Sequence, residues 1–108
     1  MKKSYKVLWA RVAENDLLGI IIFIAEDSPD NAQKILSKIK NRTAKLEYSA
    51  MQGRVVPELL RQGISLYREI VISPWRVIYK IEGNGVFILS VIDSRRNVED
   101  VLLARLLQ

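Results

Sequence analysis

Arg68, Arg76, Arg95 and Arg96 recur through the C-terminal part of the chain, with Arg61 and Lys80 nearby. A guanidinium is a permanent cation whose planar fork pairs bidentately with phosphate or carboxylate. No histidine and no cysteine accompanies these arginines. That composition removes the usual general base, the commonest metal ligand, the thiolate nucleophile and any disulfide framework. Tyr67 and Tyr79 remain as groups able to move a proton. A tyrosine on a strand is more often a packed ring with a satisfied hydroxyl. Trp75 fits the core or a partner contact better than a platform for stacked bases. Glu14, Asp16, Glu26 and Asp27 have helix-surface spacing and give no metal set without histidine. Gly83-Asn84-Gly85 is a hairpin turn, not a phosphate cradle. The chemistry left is cationic recognition, with no cofactor and no metal expected.

The elements that must position these residues follow from periodicity. Residues 5–9 suit a short strand. A helix is expected over roughly 11–26, with Leu17, Ile20, Ile21 and Ile24 on one stripe. Leu18, Ile22 and Ala25 form a second apolar stripe, and a helix apolar over so much of its circumference is usually packed on more than one side. Ser28-Pro29-Asp30-Asn31 opens another helix: Ser28 as N-cap, Pro29 at the first position, Asp30 against the positive end. It runs to about Tyr48, burying Ala32, Ile35, Leu36, Ile39, Thr43 and Leu46. Its Lys34, Lys38, Lys40, Arg42 and Lys45 lie mostly outside that stripe, where the ordinary reading is a solvated face. Arg54 to Leu60 reads as an edge strand or irregular segment, since Pro57 cannot donate in a ladder. Strands are expected at 66–73, 75–82 and 86–92, the last pair joined by a tight turn signalled by Asn84-Gly85. Residues 97–107 suit a short helix with Val98, Val101, Leu102 and Leu106 on one face. The order is that of a single α+β domain over residues 1–108: a strand and helical hairpin on a mostly antiparallel sheet, then a small helix.

Strand alternation puts Arg76, Ile78 and Lys80 on one face, and Trp75, Val77, Tyr79 and Ile81 on the other, the better candidates to meet the helices. Arg61, Arg68, Arg76, Lys80, Arg95 and Arg96 are expected around one side of the sheet. The alternative is ordinary surface charge, some of it paired with Glu58, Glu69, Glu82 and Asp93. Position at strand ends favours a functional role for Arg76, Arg95 and Arg96.

The chain has 108 residues, of which 49% are hydrophobic and 27% charged, which suits one core without staples. A net charge of +5 favours anionic partners without choosing among them. The longest apolar run, Leu17 to Ala25, falls short of the ~20 residues that cross a bilayer. Polar residues follow Met1 before any apolar run, unlike a secretory signal. The expectation is a cytoplasmic protein with no membrane contact.

Six segments in order resemble the RelE/ParE toxin superfamily of bacterial toxin–antitoxin systems. Ala13 to Ala25 is similar to the family's first helix, and Ser28-Pro-Asp-Asn-Ala32 to the start of its second. Leu46 through Gly53-Arg54-Val-Val-Pro-Glu58-Leu59 resembles the segment that follows. Tyr67-Arg-Glu-Ile-Val, Trp75-Arg76-Val-Ile-Tyr79 and Val86-Phe-Ile-Leu-Ser-Val resemble the three strands. The resemblance implies a growth-inhibiting toxin that forms a hetero-oligomer with a cognate, ParD-like antitoxin.

The superfamily implies two mechanisms. RelE-like members cut mRNA on the ribosome, using Arg and Lys around the phosphate and usually Tyr, His or Glu for proton transfer. Here that set would be Arg61, Arg68, Arg76 and Arg95, with Tyr79 as acid or base. ParE-like members poison DNA gyrase. Asp93-Ser94-Arg95-Arg96-Asn97 lacks the His or Tyr often found there in nucleases, and Ser94-Arg-Arg-Asn resembles the ending common in ParE-like toxins. Without a proton acceptor, general-base catalysis worth roughly 10²–10⁴-fold is missing. The ParE-like branch is therefore preferred, with Arg68, Arg76, Arg95, Arg96 and Trp75 as residues for target or antitoxin.

Overall fold

The computed structural model describes residues 3–106. Strand β1 (Lys6–Trp9) leads into a helical hairpin of α1 (Arg11–Asp27) and α2 (Pro29–Ala44). Ser28 caps α2 as the sequence suggests: its Oγ accepts the Asn31 N–H at 3.1 Å, and Pro29 takes the first position. α2 stops before Tyr48. A 3-10 turn over Lys45–Glu47 replaces its last turn, and Leu46 is buried there.

The remaining strands are β2 (Arg54–Val55), β3 (Tyr67–Ile72), β4 (Trp75–Glu82) and β5 (Gly85–Asp93). They form a five-stranded sheet in the order β1-β5-β4-β3-β2. All neighbours are antiparallel except β1, which lies parallel to β5. Pro57 does not continue an edge strand but opens a short helix, α3 (Pro57–Leu60), where its missing N–H costs nothing. The chain ends in α4 (Val98–Leu106); Leu107, expected in that helix, lies outside the described residues. The fold is α+β. No helix among the described residues is long and apolar enough to cross a membrane.

The sheet is covered on both faces. Val77, Tyr79, Val86, Ile88 and Val91 pack with Ala13, Leu17 and Ile39 of the hairpin. On the other face Ile78 and Ile92 meet Val56 and Leu59 around α3, and Val98 and Leu102 of α4. Between β4 and β5 the register steps from Ile78↔Ser90 to Tyr79↔Ile88, so Leu89 is an extra residue in β5. Such a bulge interrupts the ladder. Just beyond it the Val91 N–H donates to Asp16 Oδ2 of α1 at 2.9 Å. The β4–β5 turn is centred on Gly83 and Asn84 rather than on Asn84-Gly85, because Glu82 pairs with Gly85. Gly83 supplies the positive φ, +60°, that such a turn needs first.

Tyr79 anchors the loop between the hairpin and β2. Its hydroxyl donates to the Ala50 carbonyl at 2.7 Å and accepts the Gly53 N–H at 2.9 Å. Gly53 has no room for a side chain: a Cβ would stand 2.5 Å from the Glu69 carbonyl oxygen and 2.6 Å from the Tyr79 hydroxyl. Tyr79→Phe leaves the buried Gly53 N–H without a partner and is expected to cost about 1–3 kcal/mol in urea unfolding. A midpoint unchanged from the parent would mean that the loop finds another acceptor.

Candidate partner-binding site

The arginines do not gather on one face. A two-residue connection sets the β3–β4 register so that Arg68 lies opposite Tyr79 and Val71 opposite Arg76. Arg68 therefore shares the hairpin face with Tyr79, where its Nη1 donates to the Gly53 carbonyl at 2.7 Å. Arg76 points to the other face and is 7% exposed.

Arg76 is fully engaged. Its Nε donates to Glu69 Oε1, while Nη1 and Nη2 hold both oxygens of Glu58, each at 2.6 Å. Glu69 in turn accepts from Arg54 Nε at 2.6 Å. Two arginines and two glutamates thus tie β2, β3, β4 and α3 into one neutral chain. The Arg76 hydrogen bonds hold the Glu58 carboxyl at about 2, down from 4.5, and the Arg76 guanidinium is pushed further up. A carboxylate whose folded value is lowered stabilises the fold above its ordinary value and stops doing so as pH falls through the folded one. The melting temperature is accordingly expected to fall between about pH 4.5 and pH 2, more steeply than in Glu58→Gln. Parallel pH profiles for the two proteins would sink that assignment.

The remaining predicted residues are placed as follows. Lys80 pairs with Glu82, and Arg95 with Asp93 two residues earlier, so all four proposed carboxylate partners are used. Arg95 lowers Asp93 to about 2. Tyr79 is buried, and burial raises its hydroxyl further from deprotonation. Arg61 lies exposed just after α3, where its charge helps lower the Glu58 carboxyl that Arg76 holds.

Three predicted residues do come together. Trp75, Arg95 and Arg96 line a groove of about 810 Å³ between α1 and the ends of β4 and β5. Ile20, Phe23 and Ile24 of α1 and Ile35 of α2 form its apolar wall. Arg95 and Arg96 are exposed at that end of the sheet. Phe23 is 72% exposed, and Leu18 and Ile22 beside it on α1 are 58% and 54% exposed. The second apolar stripe of α1 is thus not packed on another side within the chain; it is left open. That corrects the expectation from its circumference. Phe23, outside both stripes read from the sequence, is the residue that sequence reasoning missed.

Arg105 was missed as well. It donates from Nη1 and Nη2 to the two oxygens of Asp16 at 2.8 and 3.0 Å, and from Nη1 to Ser90 Oγ at 2.8 Å. With the Val91 N–H on the same carboxylate, this node fastens α4 to α1 across the bulge. Nothing in the local sequence couples positions so far apart.

A helical hairpin on a five-stranded, mostly antiparallel sheet with a small helix behind it is the RelE/ParE fold. Residues 7–98 match the family described as ParE toxin of type II toxin-antitoxin system, parDE, and the chain belongs to that family. A solved structure described as the chromosomal ParDE TA system from P. aeruginosa is similar in fold, with a TM-score of 0.70 at 21% identity. The likeness covers 84% of this chain and 97% of the other. No curated protein matches.

Proposed function

We propose that this type II toxin arrests growth by poisoning DNA gyrase and is neutralised by a cognate antitoxin seated on α1 and its groove. The supporting observation is where the cations go. Arg76 is held by two carboxylates, Arg68 by a backbone carbonyl, and Tyr79 is buried. No group among the described residues combines a free proton acceptor with convergent arginines, so the surface suits binding rather than phosphate cleavage. Family membership supports the gyrase target. The same engagement weakens the alternative of a ribosome-dependent mRNA endoribonuclease built on Arg61, Arg68, Arg76, Arg95 and Tyr79.

The groove's apolar wall with exposed Phe23, and the exposed Ile22 and Leu18 farther round α1, fit an amphipathic antitoxin segment that folds on binding, and the Arg95–Arg96 rim fits acidic residues within it. The test is pulse-labelling of DNA and protein synthesis within minutes of inducing the chain alone. DNA synthesis should fall first, and purified toxin should trap gyrase on cleaved DNA. Protein synthesis falling first, with cuts in message, would restore the nuclease. Normal growth at high expression would make the chain a non-toxic binding relative.

A further inference from the structure

The chain's longest stretch without an acid is also its most basic. Residues 31–46, which are most of α2 and the turn after it, hold Lys34, Lys38, Lys40, Arg42 and Lys45 and no acid. The other twelve cations are matched by the chain's twelve acids. Lys34, Lys38 and Arg42 recur every four residues, so they form a row along the helix with a rise of about 6 Å between neighbours. Lys45 continues the row. Ala32, Ile39 and Thr43 are buried, which leaves Lys34, Lys38 and Lys45 exposed; Arg42 is half-buried beside a hollow that also holds Gly53, Arg54 and Glu69. Among the described residues none of the five pairs with a carboxylate, whereas Arg54, Arg76, Lys80, Arg95 and Arg105 all do. Lys40 sits apart over the Trp9 ring, 4.6 Å from its centroid.

The chemistry of the neighbours narrows the partner. Gln33, Ser37 and Asn41 lie beside Lys34 and Lys38 in a shallow hollow, with Asp30 closing its N-terminal end. No apolar or aromatic side chain lines that hollow, and a single exposed ring, Tyr48, lies beyond Lys45. A protein interface needs an apolar centre, in which lysine is depleted. A single strand of nucleic acid needs rings on which its bases stack. Evenly spaced point charges flanked by neutral hydrogen-bonding groups suit the phosphates of a duplex instead. An α-helix about 10–12 Å across matches the B-form major groove, about 12 Å wide, whereas the deep, narrow A-form groove excludes it.

We propose that the outer face of α2, carrying Lys34, Lys38, Arg42 and Lys45, binds the backbone of duplex DNA without regard to sequence. This surface is separate from the α1 groove, and the inference stands whether or not gyrase is the target.

The experiment is fluorescence anisotropy of a labelled mixed-sequence DNA duplex, about two turns long, titrated with the purified full chain over a range of salt. Four phosphate contacts predict a log–log salt slope of about −3.6. Replacing Lys34, Lys38 and Lys45 by Gln should cut the slope to about −0.9 and weaken binding by at least tenfold at low salt. A charge-matched control, Lys3, Lys6 and Arg11 to Gln, lowers the net charge of +5 by the same three and should leave the slope near the parent's. Equal loss in both variants would reduce the effect to net charge and overturn the proposal. Unchanged binding by the α2 variant, or tighter binding to the same sequence as duplex RNA, would overturn it too. Should the triple variant fail to fold by circular dichroism, Lys34→Gln with Lys38→Gln must still flatten the slope by about 1.8, or the assignment is wrong.

Discussion

Arg76→Ala is expected to destabilise the isolated chain by about 3–5 kcal/mol, the range for removing one partner of a buried ion pair. The truncation leaves Glu69, whose side chain is 0% exposed, with Arg54 as its only cation, and Glu58 with no guanidinium partner. Against a typical total of about 5–15 kcal/mol, much of the protein would unfold. Growth inhibition should then disappear because folded toxin disappears. Replacing Arg76, Glu58 and Glu69 together by apolar residues of similar volume should recover much of the stability, since a buried ionic cluster gains little over good packing. Urea unfolding decides the matter. If Arg76→Ala keeps the parent midpoint and still abolishes toxicity, Arg76 is a contact residue and its carboxylate cage is incidental.

Ile22→Asp with Phe23→Asp should behave in the opposite way. Both side chains are mostly exposed, so the melting temperature should hardly move. Affinity for an antitoxin partner should fall by at least about 2 kcal/mol, or roughly thirtyfold, as for loss of a buried interface anchor. Titration calorimetry of the two proteins provides the measurement. Unchanged affinity would move the docking site away from α1, and the Arg95→Ala, Arg96→Ala pair would then be the surface to examine.

Much of this architecture is written locally. The Ser28-Pro29 start of α2, the alternation in β4 and the glycine turn before β5 depend on near neighbours, and the chain displays them directly. The site was harder to see because it depends on register. Arg68 and Arg76 look alike in the sequence, yet the two-residue β3–β4 connection sends them to opposite faces, and a change of one residue there would reverse that. The extra Leu89 is hidden in an apolar run. Pro57 argues against a ladder but does not announce a helical turn. Arg76 carries no mark that two glutamates, seven and eighteen positions away, hold it in the fold. The open stripe of α1 was visible as surplus hydrophobicity; that the chain itself leaves it uncovered is a tertiary fact.

The parallel pairing of β1 with β5 joins Lys6 to Gly85 and Trp9 to Ile88, across most of the chain. Such distant contacts form slowly, because a long loop must close before they stabilise anything. The first strand made therefore has no partner until nearly the last residues are synthesised, while the α1–α2 hairpin can assemble at once from local contacts. The sheet therefore closes late relative to synthesis. Until then the hairpin's sheet-facing side, with Ala13, Leu17 and Ile39, stays as bare as its outer one.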